Sequence, residues 1–214
     1  MKYRLHPSEA LNRAFAARPY QGAEPEKATF LFVGLDANYS PAIEQNAVFD
    51  RVLDYLEDGV AFWKTHGVHH PFLLPQYRGD GQKYHKTFAR IGFRPEHAEQ
   101  VSFIEMLHVP TVGQSKLTVD VLDKDHLLRL QDAIEHGDAR HIFVPAGVAK
   151  LMRRSSMFPW MPKAPSDTGG PFKIWRKTGP KTIYWHYHFS VYGKFEQKKT
   201  DQLKAIGQLL SAPA

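Results

Sequence analysis

Two side chains in this sequence are of the right types for hydrolysis, Asp36 and His188. Across a cleft, an acid orients water and offsets cationic character in a substrate, while an imidazole stabilises a leaving group. Asp36 lies in ATFLFVGLDANYS (28–40), after an apolar run and Gly34. The competing reading is a helix-capping Asp in an ordinary β–α turn, and for the pair, two unrelated loop residues. Glu105, inside VSFIEML (101–107), is a third candidate. A carboxylate deep in a strand costs several kcal/mol unless it is paired. Either it sits at the strand end, solvated or beside a Lys or Arg, or it hydrogen-bonds a ligand. Histidines at 66, 69, 70, 85, 186 and 188 raise the question of a metal. His69 and His70 are adjacent and would face opposite ways on a strand, His186 and His188 share a strand face, and no spacing matches H-E-x-x-H. They read as loop and strand-end residues, and neither metal nor cofactor is expected.

Basic and aromatic residues mix in KLMRRSSMFPWMPK (150–163), which holds Lys150 and Arg153, and in FKIWRK (172–177). Such mixing suits nucleic acid, because cations meet phosphates and rings stack on bases. The alternative is a loop anchored by Phe158, Trp160 and Trp175 with solvated charges.

The elements that must position these residues follow from periodicity. Ser8 caps a helix over EALNRAFAA (9–17), and a polar linker leads to a buried strand at 29–33. Residues 41–57 have helical spacing. Residues 67–81 form a long loop holding Phe72 and Tyr77, and loops of that length are often functional. A helix over KYHKTFARIGF (83–93) precedes a second strand at 101–107 and a loop at 108–116. An amphipathic helix spans 123–136. A third strand at 141–146 leads into a short helix, and residues 155–180 read as irregular. A fourth strand covers 182–189, and Thr200 caps a last helix. Strands alternating with helices predict an α/β fold, a three-layer α/β/α sandwich on a central four-stranded parallel sheet. In such sheets ligands sit beyond the carboxyl ends of the strands. That edge would collect Asp36, Glu105, His108, Gly147 and His188.

The chain has 214 residues, 43% of them hydrophobic, which suits one domain over 1–214 with its core at 28–211 after an N-terminal helix and linker. Without cysteine, disulfides, zinc–thiolate sites and iron–sulfur clusters are excluded. No run is apolar and long enough to span a membrane, and the first ten residues lack a signal-peptide core, so a cytoplasmic location is expected. A net charge of +6 favours a polyanionic partner such as DNA.

In their order, these motifs resemble the uracil-DNA glycosylase superfamily, especially its mismatch-specific uracil/thymine branch. Gly34-Leu35-Asp36-Ala37-Asn38-Tyr39 is similar to the family's first motif, with the acid of the classical uracil enzymes but Ala37 in place of a proline. YHKTFARIGF (84–93) is similar to the branch's helix ending in Ala-Gly-Phe. Residues 105–112 resemble its Leu-Val-x-Arg-Pro-Thr segment, and HIFVPAGVAKLM (141–152) its strand-and-helix element. His188-Phe189-Ser190-Val191-Tyr192-Gly193 is similar to His-Pro-Ser-Pro-Leu-Ser, with Phe189 replacing the first proline.

The resemblance implies hydrolysis of the N-glycosidic bond of a damaged or mismatched base, flipped out of DNA. Asp36 would position water and His188 would hydrogen-bond the departing base. Tyr77, or failing that Phe72, would stack on the base, and Glu105 would read its edge within a pocket that includes Gly34, Leu35, Asn38 and Tyr39. Tyr192 would fill the vacated space, and Ser190, Lys194, Lys150 and Arg153 would hold DNA. Glu105 stands where relatives carry Asn or Lys. Uracil asks for an acceptor and a donor, and an ionised carboxylate only accepts. Weak or no action on uracil is therefore expected, unless Glu105 is protonated; a base edge with donors, or a site that no longer cleaves, are the other options. The alternatives are a non-catalytic member of the fold that binds nucleic acid or a nucleotide, and an enzyme acting on a free nucleoside.

Overall fold

The computed structural model describes residues 5–113 and 117–210. The end of the expected 108–116 loop and residue 211 lie outside them. The chain folds as a mixed α/β structure on a seven-stranded sheet with helices packed on its faces.

The elements in chain order are α1 (Glu9–Ala17), β1 (Tyr20–Gly22), β2 (Phe30–Gly34), α2 (Phe49–Glu57), α3 (Gly59–His66), α4 (Gln82–Ala89), β3 (Val101–Glu105), α5 (Lys124–Glu135), β4 (His141–Phe143), α6 (Ala146–Ser155), β5 (Ser166–Asp167), β6 (Lys173–Thr178), β7 (Lys181–Trp185) and α7 (Glu196–Leu210). The sheet order is β1-β3-β2-β4-β7-β6-β5. Its four central strands, β3, β2, β4 and β7, are mutually parallel and are the four expected from the sequence. Three antiparallel strands extend them, so the expected four-stranded sheet has seven strands. β1 lies in the expected linker and adds to β3. β5 and β6 lie in the segment expected to be irregular.

Alternation along β2 sorts the core. Successive side chains of a strand point to opposite faces. Phe30 and Phe32 enter a cluster with Trp63, Phe88, Phe103, Phe143, Leu203 and Ile206, so α3, α4 and α7 cover that face. Leu31 and Val33 enter another with Leu127, Leu130, Val148 and Met152, so α5 and α6 cover the other face. Phe32 stacks on Phe143 at 4.7 Å and on Phe103 at 5.4 Å, which ties β2 to both parallel neighbours. A third cluster joins α1 and α2 to the 71–77 loop through Phe15, Tyr55, Phe72 and Tyr77.

Several boundaries differ from expectation. Residues 41–57 hold only a short 3-10 turn, Ile43–Gln45, before α2, because Pro41 and the Asn46 side chain favour turns; Asn46 Oδ1 accepts from Val48 N–H at 3.2 Å. Asp58 then caps α3, which periodicity alone does not separate from α2, by accepting from Val60 and Ala61 N–H. α7 starts at Glu196, not after Thr200. β7 ends at Trp185, so His186 and His188 lie in the loop beyond it, not on a strand face. No helix among the described residues is long and apolar enough to cross a membrane.

Candidate functional site

A cavity of about 520 Å³ opens at the carboxyl ends of β2, β3 and β7. That volume suits a small ligand. Asp36, Glu105 and His188 all line it.

Asp36 follows β2 in a turn that continues the parallel pairing beyond the sheet. Met106 and Leu107 N–H donate to the Gly34 and Leu35 carbonyls, Thr111 N–H to Ala37, and Tyr39 N–H to Thr111. This zipper fixes the turn although Ala37 stands where a proline would stiffen it. Thr111 Oγ1 donates to Asp36 Oδ2 at 2.5 Å. The helix-cap reading therefore fails: the nearest turns begin after Ala42 and Val48, and neither uses this carboxylate. Burial raises the Asp36 pKa, and the Thr111 hydrogen bond partly opposes it.

Glu105 ends β3 in register with Gly34. Its carboxyl packs against Gly34, where a Cβ would overlap Oε2. A side chain at position 34 would therefore displace the Glu105 carboxyl from this seat. Among the described residues, that carboxyl has no hydrogen bond and no ion pair. Burial, and then the charge of Asp36, push it up to about 8. Glu105 therefore sits at the strand end, half-buried on the cavity wall, and not beside a Lys or Arg among the described residues. Behind it, His126 Nε2–H donates to the Glu105 backbone carbonyl at 2.7 Å.

His188 sits in the loop after β7. Its Nδ1 accepts from Ser190 N–H at 3.3 Å, so the neutral ring carries its proton on Nε2. Burial lowers its pKa, which keeps the ring neutral. His186 has the opposite tautomer: Nδ1–H donates to the Tyr187 carbonyl at 2.8 Å, leaving Nε2 as an acceptor. Burial takes His186 and His85 down to about 3. His70 stacks on His85 at 3.5 Å, and both line the cavity as neutral rings.

The loop that carries His188 is held from behind by α7. Buried Lys199 donates to the Val191 carbonyl at 2.6 Å and the Phe189 carbonyl at 3.4 Å. Gln202 accepts from Tyr187 N–H at 2.8 Å and donates to the Pro171 carbonyl at 2.9 Å. Backbone groups on both sides of His188 are thereby fixed to one helix face.

The expected aromatic contact moves by one ring. Tyr77 is buried, gives its hydroxyl to the Asp80 carbonyl at 2.5 Å, and does not line the cavity. It backs Phe72, stacked at 4.1 Å and 7°, and Phe72 faces the cavity. Tyr84 was missed. It lies in the first turns of α4, its ring 5.2 Å from that of His188, on the cavity wall. The available signal was its place in a helix entered directly from the long loop. Leu35, Asn38 and Tyr39 also line the cavity, and the Tyr39 hydroxyl is buried with no hydrogen-bond partner.

The expected DNA contacts divide. Ser190 lines the cavity. Tyr192, 75% exposed, lies under Lys83 of α4, whose Nζ is 4.4 Å from its ring centre, and Lys194 lies over Phe195. Lys150 and Arg153 do not line the cavity. They sit about 6 and 10 Å along α6 from its first residue, at ~1.5 Å per residue. Arg153 is occupied: it donates to the Pro162 carbonyl at 3.1 Å and covers the Trp175 ring. Phe158 and Trp175 are buried and Trp160 packs against the same cluster, so the expected aromatic anchors are present, although Trp175 lies on β6 rather than in a loop and Arg153 and Arg176 are engaged rather than solvated. Among the described residues, the cavity wall contains neither Lys nor Arg. Among the described residues no group of three or more His, Asp or Glu is arranged to hold a metal ion.

No protein-family model matches the chain, and no curated protein is significantly similar to it.

Proposed function

We propose that the protein hydrolyses the N-glycosidic bond of a nucleotide flipped out of DNA, in the manner of the uracil-DNA glycosylase superfamily. The observation that carries this reading is the convergence of Asp36 and His188, 152 positions apart in sequence (188 − 36), on one base-sized cavity. Asp36 orients water and offsets the positive character of the sugar in the transition state. The His188 Nε2–H meets the charge developing on the departing base. Phe72 stacks on that base, with Tyr77 as its backing. A wall without Lys or Arg among the described residues suits an uncharged base and sugar, with Ser190 on the wall and Lys83 over Tyr192 of the loop that carries His188.

The test is alkaline cleavage of oligonucleotides carrying uracil, hypoxanthine, modified cytosines and damaged purines. Asp36→Asn should lower excision about 10²–10⁴-fold while DNA binding persists. Unchanged excision removes Asp36 from the mechanism. Binding without abasic sites on any substrate supports a non-catalytic member of the fold instead.

The lack of Lys and Arg on the wall among the described residues also favours a second reading, hydrolysis of a free nucleoside. A steep loss of duplex affinity with salt argues against it, because phosphate contacts release counterions.

A further inference from the structure

We propose that Glu105 is the general acid of this site, the proton-donating partner of Asp36, rather than only a reader of the base edge. The inference rests on the glycosidase reading and assigns a reaction step within it.

The geometry sets Glu105 apart from a structural carboxylate. Its carboxyl faces the cavity from the seat over Gly34, which is the last residue of β2 and lies two positions before Asp36. A buried carboxylate kept for stability has a cation or several N–H donors around it. This one has neither among the described residues. The titratable groups that act on it or that it acts on are Asp36 and Tyr39 from the turn after β2, Tyr55 from α2 and Tyr84 from α4. From α5, His126 reaches only its backbone carbonyl. Asp36 carries negative charge and the three phenols are neutral, so none of them stabilises an ionised Glu105. Asp36, by contrast, has the Thr111 hydroxyl on its carboxylate. Two carboxyls in one cavity are thus driven apart, one holding its proton and the other primed to take one. That division of roles is the pattern of glycoside hydrolysis by paired carboxyls. The buried, unpartnered Tyr39 hydroxyl beside them is a further hydrogen-bonding group left for a ligand.

The step balances with water as the sole co-reactant. The C1′–N bond breaks and both electrons go to the base. Glu105 gives its proton to an acceptor atom of the base that faces it. The water oxygen bonds to C1′, and its proton passes to Asp36. The products are a neutral base and a sugar bearing a hydroxyl. Asp36 and Glu105 then return to their starting states by losing and gaining one proton through solvent. His188 donates a hydrogen bond throughout and keeps its proton.

Glu105→Gln separates proton donation from reading. Glutamine keeps the shape and still offers one donor and one acceptor, so it reads an edge but transfers no proton. Single-turnover excision is measured from about pH 5 to 9.5 on the best substrate of the panel, a range that lies above ordinary carboxyl titrations and brackets the raised one of Glu105, alongside binding of an oligonucleotide with a hydrolysis-resistant 2′-fluoro analogue. The wild-type rate should fall as pH rises through about 8. The variant should lose about 10²–10³-fold near pH 6–7, show no such limb, and bind the analogue as wild type does. Near wild-type excision by Glu105→Gln with the limb intact, or a wild-type profile with no limb, overturns the inference and leaves the glycosidase reading standing. Absence of excision by wild type on every substrate overturns both. Circular dichroism of the variant checks its fold.

Discussion

The cavity and the segment running from α6 through β6 are built from similar side chains, aromatic rings set among titratable groups. In the segment those groups are answered from within. Trp175 Nε1–H donates to the Val144 carbonyl at 2.8 Å, Arg153 to Pro162, and Arg176 pairs with Glu135 at 3.2 Å while covering the Trp160 ring. Only the Trp160 Nε1–H among these is left without a partner. In the cavity the balance reverses. The Tyr39 hydroxyl is buried without a partner, the half-buried Glu105 carboxyl makes no hydrogen bond or ion pair among the described residues, and His186 and His188 each use one nitrogen and present the other. Polar groups that line a cavity and lack a protein partner are free to meet a ligand. Composition does not separate the two regions. The destination of each hydrogen bond does.

If the comparison holds, damage to the segment changes stability and damage to the cavity changes chemistry. Trp175→Ala should lose about 3–5 kcal/mol of stability, from an aromatic deletion in a packed core together with a stranded Val144 carbonyl. Excision per folded molecule should stay near wild type. Denaturant unfolding and active-fraction-corrected rates decide it, and a large activity loss in the folded fraction would dissolve the distinction.

Glu105→Gln should do the opposite to stability. A carboxyl with a raised pKa in the fold binds a proton that the unfolded chain gives up above about pH 4.5. Its contribution is therefore fully present below that pH and is lost as pH rises through about 8. Each tenfold difference in proton affinity between folded and unfolded chain is worth about 1.4 kcal/mol. The variant should therefore gain up to a few kcal/mol over wild type by about pH 8 and nothing at about pH 4. Melting curves across this range test it. A gain independent of pH would trace to packing and not to the proton.

Lys199→Met probes the junction between stability and chemistry. It strands the Phe189 and Val191 carbonyls, at a cost of about 1–3 kcal/mol. It also frees the loop holding the His188 ring. Excision should fall about tenfold through kcat, with the Nε2 proton resonance of His188 broadened, whereas Lys199→Arg should restore part of both. Loss of stability with kcat and the resonance unchanged would make Lys199 purely structural.

The same contrast explains what the sequence made legible. FLFVG, VSFIE, HIF and TIYW are β-rich runs, and the four parallel strands followed from them. So did the edge where Asp36, Glu105 and His188 meet, because parallel strands carry their ends to one side. β1 has only three residues, too few for a pattern. β6 sets the buried Trp175 between exposed Lys173 and Lys177, carries a register shift between Ile174 and Arg176, and turns into β7 through Gly179-Pro180, with Gly179 at φ 55°. A glycine at the first position of a two-residue hairpin turn is a readable signal, but the charges around it read as a nucleic-acid patch. Tyr77 against Phe72, and Tyr84 on the wall, depend on which face of a loop and of a short helix turns inward. That is settled by tertiary packing, and the sequence offers only the place of Tyr84 in a helix entered directly from the long loop.

The smallest effect is expected where the composition argued loudest. Lys150 is exposed on α6, about 6 Å along it from its first residue at ~1.5 Å per residue, and its neighbour Arg153 is engaged by Pro162 and Trp175. Lys83 and Lys194, over Tyr192 and Phe195, stand instead beside the loop that carries His188. If phosphates run past the mouth, Lys83→Ala should reduce the slope of log affinity against log salt by about 0.9, the value of one lost phosphate contact. Lys150→Ala removes the same single positive charge but no contact, so its slope should match wild type and its affinity change should stay within about twofold, the long-range share of one screened charge. Salt titrations of both variants on one duplex compare them directly. Equal slopes for the two would mean that DNA follows the basic segment along α6 and not the cavity, and the aromatic–basic mixture there would regain the role that its internal hydrogen bonds deny it.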